Sequence, residues 1–344
     1  MTFMKTSSSL LLNETSKVLV TGGAGFIGSA LIHSLNALGV TDIVVVDILG
    51  TDEKWKNLVP LAFSDYVEAS EFEMRLRQQP TTLPNWDFAF HLGACSATTE
   101  RNASYLVENN FALTRDLAKH CLARNTRFVY ASSAATYGDG TQGMDDREEN
   151  LQRFRPLNMY GYSKQMFDLY ATRSGMLPSI VGVKYFNVFG PNEYHKGDMR
   201  SLVCKAYDQI VETGGMKLFK SYKSEYPDGG QMRDFLYVRD AVAMTIHLAC
   251  ATAAGGLYNL GTGTPRTWLD LAHSIFKAMG QPANIEFLEM PASIRNQYQY
   301  FTQADISKLR ETGYTDAVTS LEDAVLDYVV NYLIPNHRLG EVCS

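Results

Sequence analysis

The chain has 344 residues, 45% of them hydrophobic, 20% charged and 11% aromatic, a balance that excludes disorder for most of its length. Its 31 Lys and Arg against 37 Asp and Glu leave a net charge of −6, so it has no electropositive footprint for nucleic acid, and a small-molecule partner is expected. Five scattered cysteines, Cys95, Cys121, Cys204, Cys250 and Cys343, never form CxxC, which fits neither a zinc site nor a disulfide framework; no metal is expected. Lys5 and the short run Leu10 to Leu12 fall short of a signal-peptide core. No stretch reaches the ~18 apolar residues of a membrane span, so a cytoplasmic protein without membrane contact is expected.

In chain order, Lys17 to Val20 reads as a short apolar strand, followed at once by the glycine-rich turn Thr21 to Gly28. A helix pattern then runs through Leu31, Ile32, Leu35 and Leu38 and is closed by Gly39. Ile43 to Asp47 is an apolar strand ending in a carboxylate. Ser70 to Glu73 has capping-box spacing and opens a helix, and Phe88 to Leu92 is the next strand. Leu106 to Leu122 and Tyr160 to Ser174 read as helices; Arg127 to Ala131 and Ile180 to Tyr185 read as strands. Apolar strands without alternation suit a parallel sheet covered on both faces, and the βα alternation predicts a doubly wound α/β (Rossmann) sheet with right-handed crossovers.

After Gly190-Pro191 the texture turns polar, and Arg233 to Asp240 with the following helix is expected to return to the sheet. The expected organisation is therefore a dinucleotide-binding domain from residues 17–190 plus about 234–264. A smaller, mostly C-terminal α/β substrate domain takes about 191–233 plus 265–340, and residues 1–16 are a frayed terminus.

Gly23, Gly25 and Gly28 form GxGxxG, with Gly22 three residues before Gly25. Glycines at such a turn let the backbone approach a pyrophosphate, and the helix that opens there offers unpaired N–H groups to the anion. Asp47, 19 residues past Gly28 at the end of the next strand, is placed to accept from ribose hydroxyls and points to NAD. Lys54, seven residues on, would instead neutralise the extra phosphate of NADP, so the residues alone leave this choice open.

Tyr160 and Lys164, at i and i+4, share one helix face. A phenol with an ordinary pKa near ~10 is a poor base at neutral pH, but a neighbouring ammonium and an oxidised nicotinamide both favour its ionised form. Ser132-Ser133 ends the strand upstream, where a hydroxyl can hold a substrate alcohol beside the tyrosine.

TGGAGFIG, YASSAATYG and YGYSK together resemble the extended short-chain dehydrogenase/reductase family, over nearly the whole chain. HLGACSATTE (His91 to Glu100), ENN (Glu108 to Asn110), KYFNVFGP (Lys184 to Pro191), HKG (His195 to Gly197), RDFLYV (Arg233 to Val238) and QYFTQAD (Gln299 to Asp305) narrow the resemblance. They are similar to the epimerases that act on carbon 6 of ADP-linked manno-heptose in lipopolysaccharide core synthesis.

The resemblance implies Tyr160 as catalytic acid/base, Lys164 as its orienting partner, Ser133 on the reacting sugar and Lys196 as second acid/base. It implies cofactor contacts from Gly22, Gly25, Phe26, Ile27, Gly28, Asp47, Ile48, Lys54, Leu92, Gly93, Ala94, Cys95, Ser96, Asn109, Lys164, Val188 and Lys196. Substrate contacts are implied for Asn187, Asp198, Lys205, Phe219, Arg233 and Tyr298. It also implies NADP as cofactor, with NAD possible, and a homo-oligomer, as a pentamer. Ile48 stands where such enzymes carry Asn, Ala69 where they carry Lys, Asp198 for Ser and Lys205 for His, and Tyr222 to Gln231 lengthens the substrate loop.

Inverting an alcohol carbon that bears no acidic hydrogen requires a planar ketone first. The expected reaction is oxidation of carbon 6, rotation of the ketone and return of the same hydride to its other face. A UDP-hexose 4-epimerase or related nucleotide-sugar oxidoreductase is the nearest alternative, and a non-catalytic dinucleotide sensor the alternative of another kind. A dehydratase of this family is disfavoured, because Ala134-Ala135 stands where such enzymes carry an Asp-Glu pair to move protons.

Overall fold

The computed structural model describes residues 11–295 and 298–341; Lys5, Ser7 to Ser9 and Cys343 lie outside them. The first half runs β1 (Val18–Thr21), α1 (Phe26–Ala37), β2 (Ile43–Asp47), β3 (Asp65–Glu68), α2 (Ala69–Gln78), β4 (Phe88–His91), α3 (Ala103–Leu106) and α4 (Leu113–Ala123). It continues through β5 (Arg127–Ser133), α5 (Met159–Arg173), β6 (Val181–Tyr185) and β7 (Asn187–Phe189). Then follow α6 (Leu202–Thr213), β8 (Met216–Phe219), β9 (Met232–Arg233), β10 (Phe235–Tyr237), α7 (Val238–Cys250), β11 (Gly256–Leu260), β12 (Arg266–Thr267), α8 (Trp268–Ala278) and β13 (Ile285–Leu288). The described C-terminal part adds α9 (Ala292–Arg295), α10 (Ser307–Glu311) and α11 (Leu321–Tyr328).

Seven strands form one sheet in the order β11-β6-β5-β4-β1-β2-β3, every pair parallel. This is the expected doubly wound sheet. Alternation along each strand feeds two cores: Val18, Val20, Phe90, Val129 and Val183 pack on one face, while Leu19, Ala89, Phe128 and Tyr130 pack on the other. Helices α1 and α7 cover the first face; α2, α4 and α5 cover the second. Because β1 pairs with both β2 and β4, the chain reverses direction across the sheet there, and the carboxyl ends of β1 and β4 open the crevice in which such sheets bind ligands.

Three readings are corrected. β3 was not expected; Asp65–Glu68 is exposed to half-buried and lies at the sheet edge, so it lacks the apolar run that marks the inner strands. Ser70 does not cap α2: the helix starts one residue earlier, with Glu68 as its extended N-cap residue and no side-chain cap bond. Phe235–Tyr237 pairs with β7 in a separate two-stranded ladder, and it is β11, after α7, that rejoins the main sheet. Two further small ladders, β8 with β13 and β9 with β12, stand across the crevice.

Candidate functional site

The glycine turn is built by contact distance. Gly22 has φ +70°, and a side-chain carbon there would lie 2.6 Å from the Gly93 nitrogen; one at Gly28 would lie 2.0 Å from the Gly22 carbonyl oxygen. Thus Gly22 and Gly28 let β1, the loop after β4 and α1 close on one another. Gly25 is the N-cap of α1 in extended backbone, with no side chain over the helix end, so the first N–H groups of α1 face the crevice uncapped. A dinucleotide pyrophosphate fits this cradle.

Asp47 is buried at the end of β2. Its Oδ2 accepts from the Ala24 N–H at 2.8 Å, and its Oδ1 accepts from the Ile48 N–H at 2.7 Å and from Lys54 Nζ at 2.8 Å. The predicted pair therefore meets, with Lys54 lying in a short helical turn, Glu53–Asn57, capped by Asp52. Ile48 is 53% exposed and contributes its backbone here.

Phe26, Ile27, Leu92, Ala94, Ser96, Ser133, Tyr160, Lys164, Asn187, Val188, Lys196, Lys205, Phe219 and Tyr298 line one cleft of about 580 Å³ at the carboxyl edge of the sheet. Sequence positions 170 residues and more apart meet in it. Tyr160 is hydrogen-bonded to the Ser133 side chain; burial pushes its phenol above the ordinary range, the Ser133 bond opposes this, and Cys95 adds to the rise. Lys164 Nζ donates to the Ala131 carbonyl at 2.8 Å, and burial pushes its ammonium down to about 8. Lys164 is thus fixed beneath the end of β5 rather than bonded to Tyr160. Lys196 sits in a turn, Tyr194–Met199, with Nζ 5.2 Å from the centre of the Phe26 ring; burial lowers its pKa and Glu193 partly restores it.

Other predicted residues fall at the rim or behind the wall. Gly93 packs on Gly22, and the Cys95 backbone is clamped by Asn110 rather than presenting its thiol to a partner. Arg233 is buried between Trp268 and Tyr298, its guanidinium 5.5 Å and 5.4 Å from their ring centres. Asp198 is exposed outside the cleft lining, and its carbonyl accepts from Lys205 Nζ at 3.2 Å. Asn109 does not reach the cleft: its amide donates to the Tyr105 carbonyl one turn back.

The neighbouring Asn110 takes the inward position, accepting from Cys95 N at 2.9 Å and donating to the Cys95 carbonyl and to Ser163 Oγ. This happens because Val107–Ala112 is a π-helical segment between α3 and α4, which rotates the face a continuous α-helix would present. Sequence reasoning also passed over Asp168 and Lys184, both fully buried and 2.7 Å apart. Asp168 accepts from Tyr130 and Ser132 hydroxyls, and Lys184 donates to Thr136 Oγ1, so the pair braces the Ser132-Ser133 strand end from behind. The signal was a lysine inside an apolar strand, which cannot stay buried without a counter-charge.

Residues 18–261 match the NAD dependent epimerase/dehydratase family. The chain is 52% identical over 318 residues to an ADP-L-glycero-D-manno-heptose-6-epimerase of Nitratidesulfovibrio vulgaris strain DP4, covering 92% of this chain and 97% of that one. It is 44% identical over 325 residues to the enzyme of that name from Fusobacterium nucleatum, covering 92% and 98%. The crystal structure of the Helicobacter pylori ADP-L-glycero-D-manno-heptose-6-epimerase superposes with a TM-score of 0.78 at 26% identity, over 95% of this chain and 99% of that one. With this glycine turn, this sheet and these relatives, the chain belongs to the NAD dependent epimerase/dehydratase family and, within it, to the ADP-L-glycero-D-manno-heptose-6-epimerases.

Proposed function

We propose that this chain inverts carbon 6 of an ADP-linked manno-heptose, with Tyr160 and Lys196 each handling the proton of the carbon 6 oxygen in one presentation of the sugar. The observation that carries this reading is the convergence of Tyr160, Ser133 and Lys196 on one cleft whose lining includes Phe26 and Ile27, the first residues of α1. A bound nicotinamide supplies hydride acceptance from carbon 6 and hydride return to the opposite face, with no net oxidation. Ser133 holds the carbon 6 oxygen, and Tyr160 takes its proton as the C–H bond breaks. Since burial raises the Tyr160 phenol, that step depends on positive charge nearby, and Lys164 is the residue held within the same cleft wall to supply it. After the ketone turns, Lys196 gives a proton to the oxygen from the other side; its burial-lowered pKa makes proton release easier than for a free lysine. Asn187, Lys205, Phe219 and Tyr298 line the cleft where the rest of the nucleotide sugar would lie, and Arg233 props Tyr298 from behind.

For the cofactor we favour NADP over NAD. Asp47 alone would repel a 2′-phosphate, but Lys54 lies 2.8 Å from it, part-exposed, and offers the phosphate an ammonium. Ala69 and Ile48 offer none, so Lys54 carries the preference. We also place the chain as a cytoplasmic homo-oligomer, as a pentamer; among the described residues no helix is long and apolar enough to cross a membrane.

Purified chain is incubated with ADP-D-glycero-D-manno-heptose, carbon 6 stereochemistry is followed by NMR, and the released dinucleotide is weighed by mass spectrometry. Inversion with a 2′-phosphorylated dinucleotide is the expected result. Inversion of carbon 4 in a UDP-hexose with an inert heptose would overturn the substrate, and stoichiometric binding without turnover of either sugar would overturn catalysis.

A further inference from the structure

The turn that carries Lys196 is fastened to the dinucleotide side of the crevice, and the fastening runs through a side chain no motif pointed to. Asn57 is 1% exposed and ends the Glu53–Asn57 turn, the one that also bears Lys54. Its amide donates to the Ala24 carbonyl inside the glycine turn and to the Asn192 carbonyl, each at 3.0 Å, and the same nitrogen lies 3.4 Å from His195 Nδ1. Both N–H donors of one amide are thus spent on carbonyls 33 and 135 residues away, which it joins. Asn192 continues the link: with φ +77°, it donates to Ser29 Oγ in α1 at 2.9 Å. Glu193 closes the segment on itself by accepting from the Ser201 N–H and hydroxyl.

We propose that Asn57 is a positioning residue for Lys196, setting its distance from a dinucleotide seated on the glycine turn. The proposal rests on Lys196 as a proton-transfer group, the reading given above. One side chain touches the carbonyl of Ala24, which moves with the pyrophosphate cradle, and the backbone four residues before Lys196, so any shift of one is imposed on the other. A rigid link of this kind matters because a misplacement near 1 Å costs on the order of 10²-fold in rate.

A double-mutant cycle with Asn57→Ala and Lys196→Met tests it, reading kcat for carbon 6 inversion, KM for the sugar nucleotide, bound dinucleotide per chain and melting temperature. If Asn57 acts through Lys196, Asn57→Ala lowers kcat about tenfold in the parent, with dinucleotide retained and KM little changed, yet has almost no further effect in the Lys196→Met background. An equal fractional loss in both backgrounds, or a loss that only tracks departed dinucleotide, overturns the proposal. Should Asn57→Ala not fold, Asn57→Asp, which keeps the volume and removes the donors, is put through the same cycle with the same two outcomes. Parental kcat in Lys196→Met alone would refute the role of Lys196 itself, a failure visible before Asn57 is touched.

Discussion

Replacing Lys184 by Met separates the bracing of the site from its chemistry. Lys184 and Asp168 are both 0% exposed, with Nζ 2.7 Å from Oδ2, and Lys184 also lies 5.0 Å from the centre of the Tyr137 ring. Met fills nearly the same volume without the charge, leaving Asp168 with only the Tyr130 and Ser132 hydroxyls. Breaking one side of a buried pair costs about 3–5 kcal/mol. Two surviving hydrogen bonds, each about 1 kcal/mol, put the loss near the lower end, about 3 kcal/mol. At ~2.1 cal/mol/K per residue, 344 residues give an unfolding entropy of about 0.7 kcal/mol/K, so the melting midpoint should fall by about 4 °C. Calorimetry with dinucleotide held saturating in every sample measures it, because unequal ligand occupancy would shift the midpoint by itself. Lys184→Met with Asp168→Asn should recover part of the loss, since a neutral amide leaves no uncompensated charge and its oxygen still accepts from a neighbouring hydroxyl. A single variant melting with the parent, or a double variant as low as the single one, would refute the argument that charge compensation holds this wall.

Tyr160→Phe should lower carbon 6 inversion by about 10²-fold or more while keeping the dinucleotide, as measured by NMR and by released cofactor; full turnover would remove Tyr160 from the chemistry. Gly28→Ala puts a carbon 2.0 Å from the Gly22 carbonyl oxygen, so the cradle must open and dinucleotide binding by titration calorimetry should be lost; parental affinity would contradict the cradle. Lys54→Met should favour NAD over NADP in reconstitution of stripped protein by about tenfold or more, the worth of one charge-assisted hydrogen bond; an unchanged ratio would move the phosphate elsewhere. His91 is buried between Thr21 and Thr114 with its pKa pushed down to about 3 by burial and by Lys164. The unfolded chain therefore takes up a proton that the folded one refuses, and stability falls by about 1.4 kcal/mol per pH unit from pH 6.5 toward 3 on this account. His91→Gln should flatten that part of a urea-midpoint profile, and an unaltered slope would assign acid sensitivity to other groups.

The inner strands were readable because each is a short apolar run between turn signals, and burial on both faces demands such a run. β3 was not, because an edge strand half-buried on its two faces needs only one apolar residue for each, Tyr66 on one and Val67 on the other. The glycine turn was legible for a comparable reason: where a carbon would lie 2.0 to 2.6 Å from backbone, only one residue type fits, so the steric demand is written directly in the sequence.

Side-chain direction was harder to read than residue identity. Asn109 and Asn110 are adjacent and chemically the same; which one faces the loop after β4 depends on a π segment whose extra residue per turn leaves no compositional mark. Asn57 shows the same limit in a different form. Its neighbours in sequence do not mark it, and its two partners at 3.0 Å, nearer than the His195 ring, are the carbonyl oxygens of Ala24 and Asn192, which every residue carries. A donor that recognises side chains leaves a trace at both positions, whereas a donor that recognises backbone leaves a trace only at its own. Tyr160 belongs to the first kind through its bond to Ser133, and Lys164, which donates to the Ala131 carbonyl, to the second. The Asn57 amide, which couples the glycine turn to the segment before Lys196 through two backbone carbonyls, belongs to the second as well.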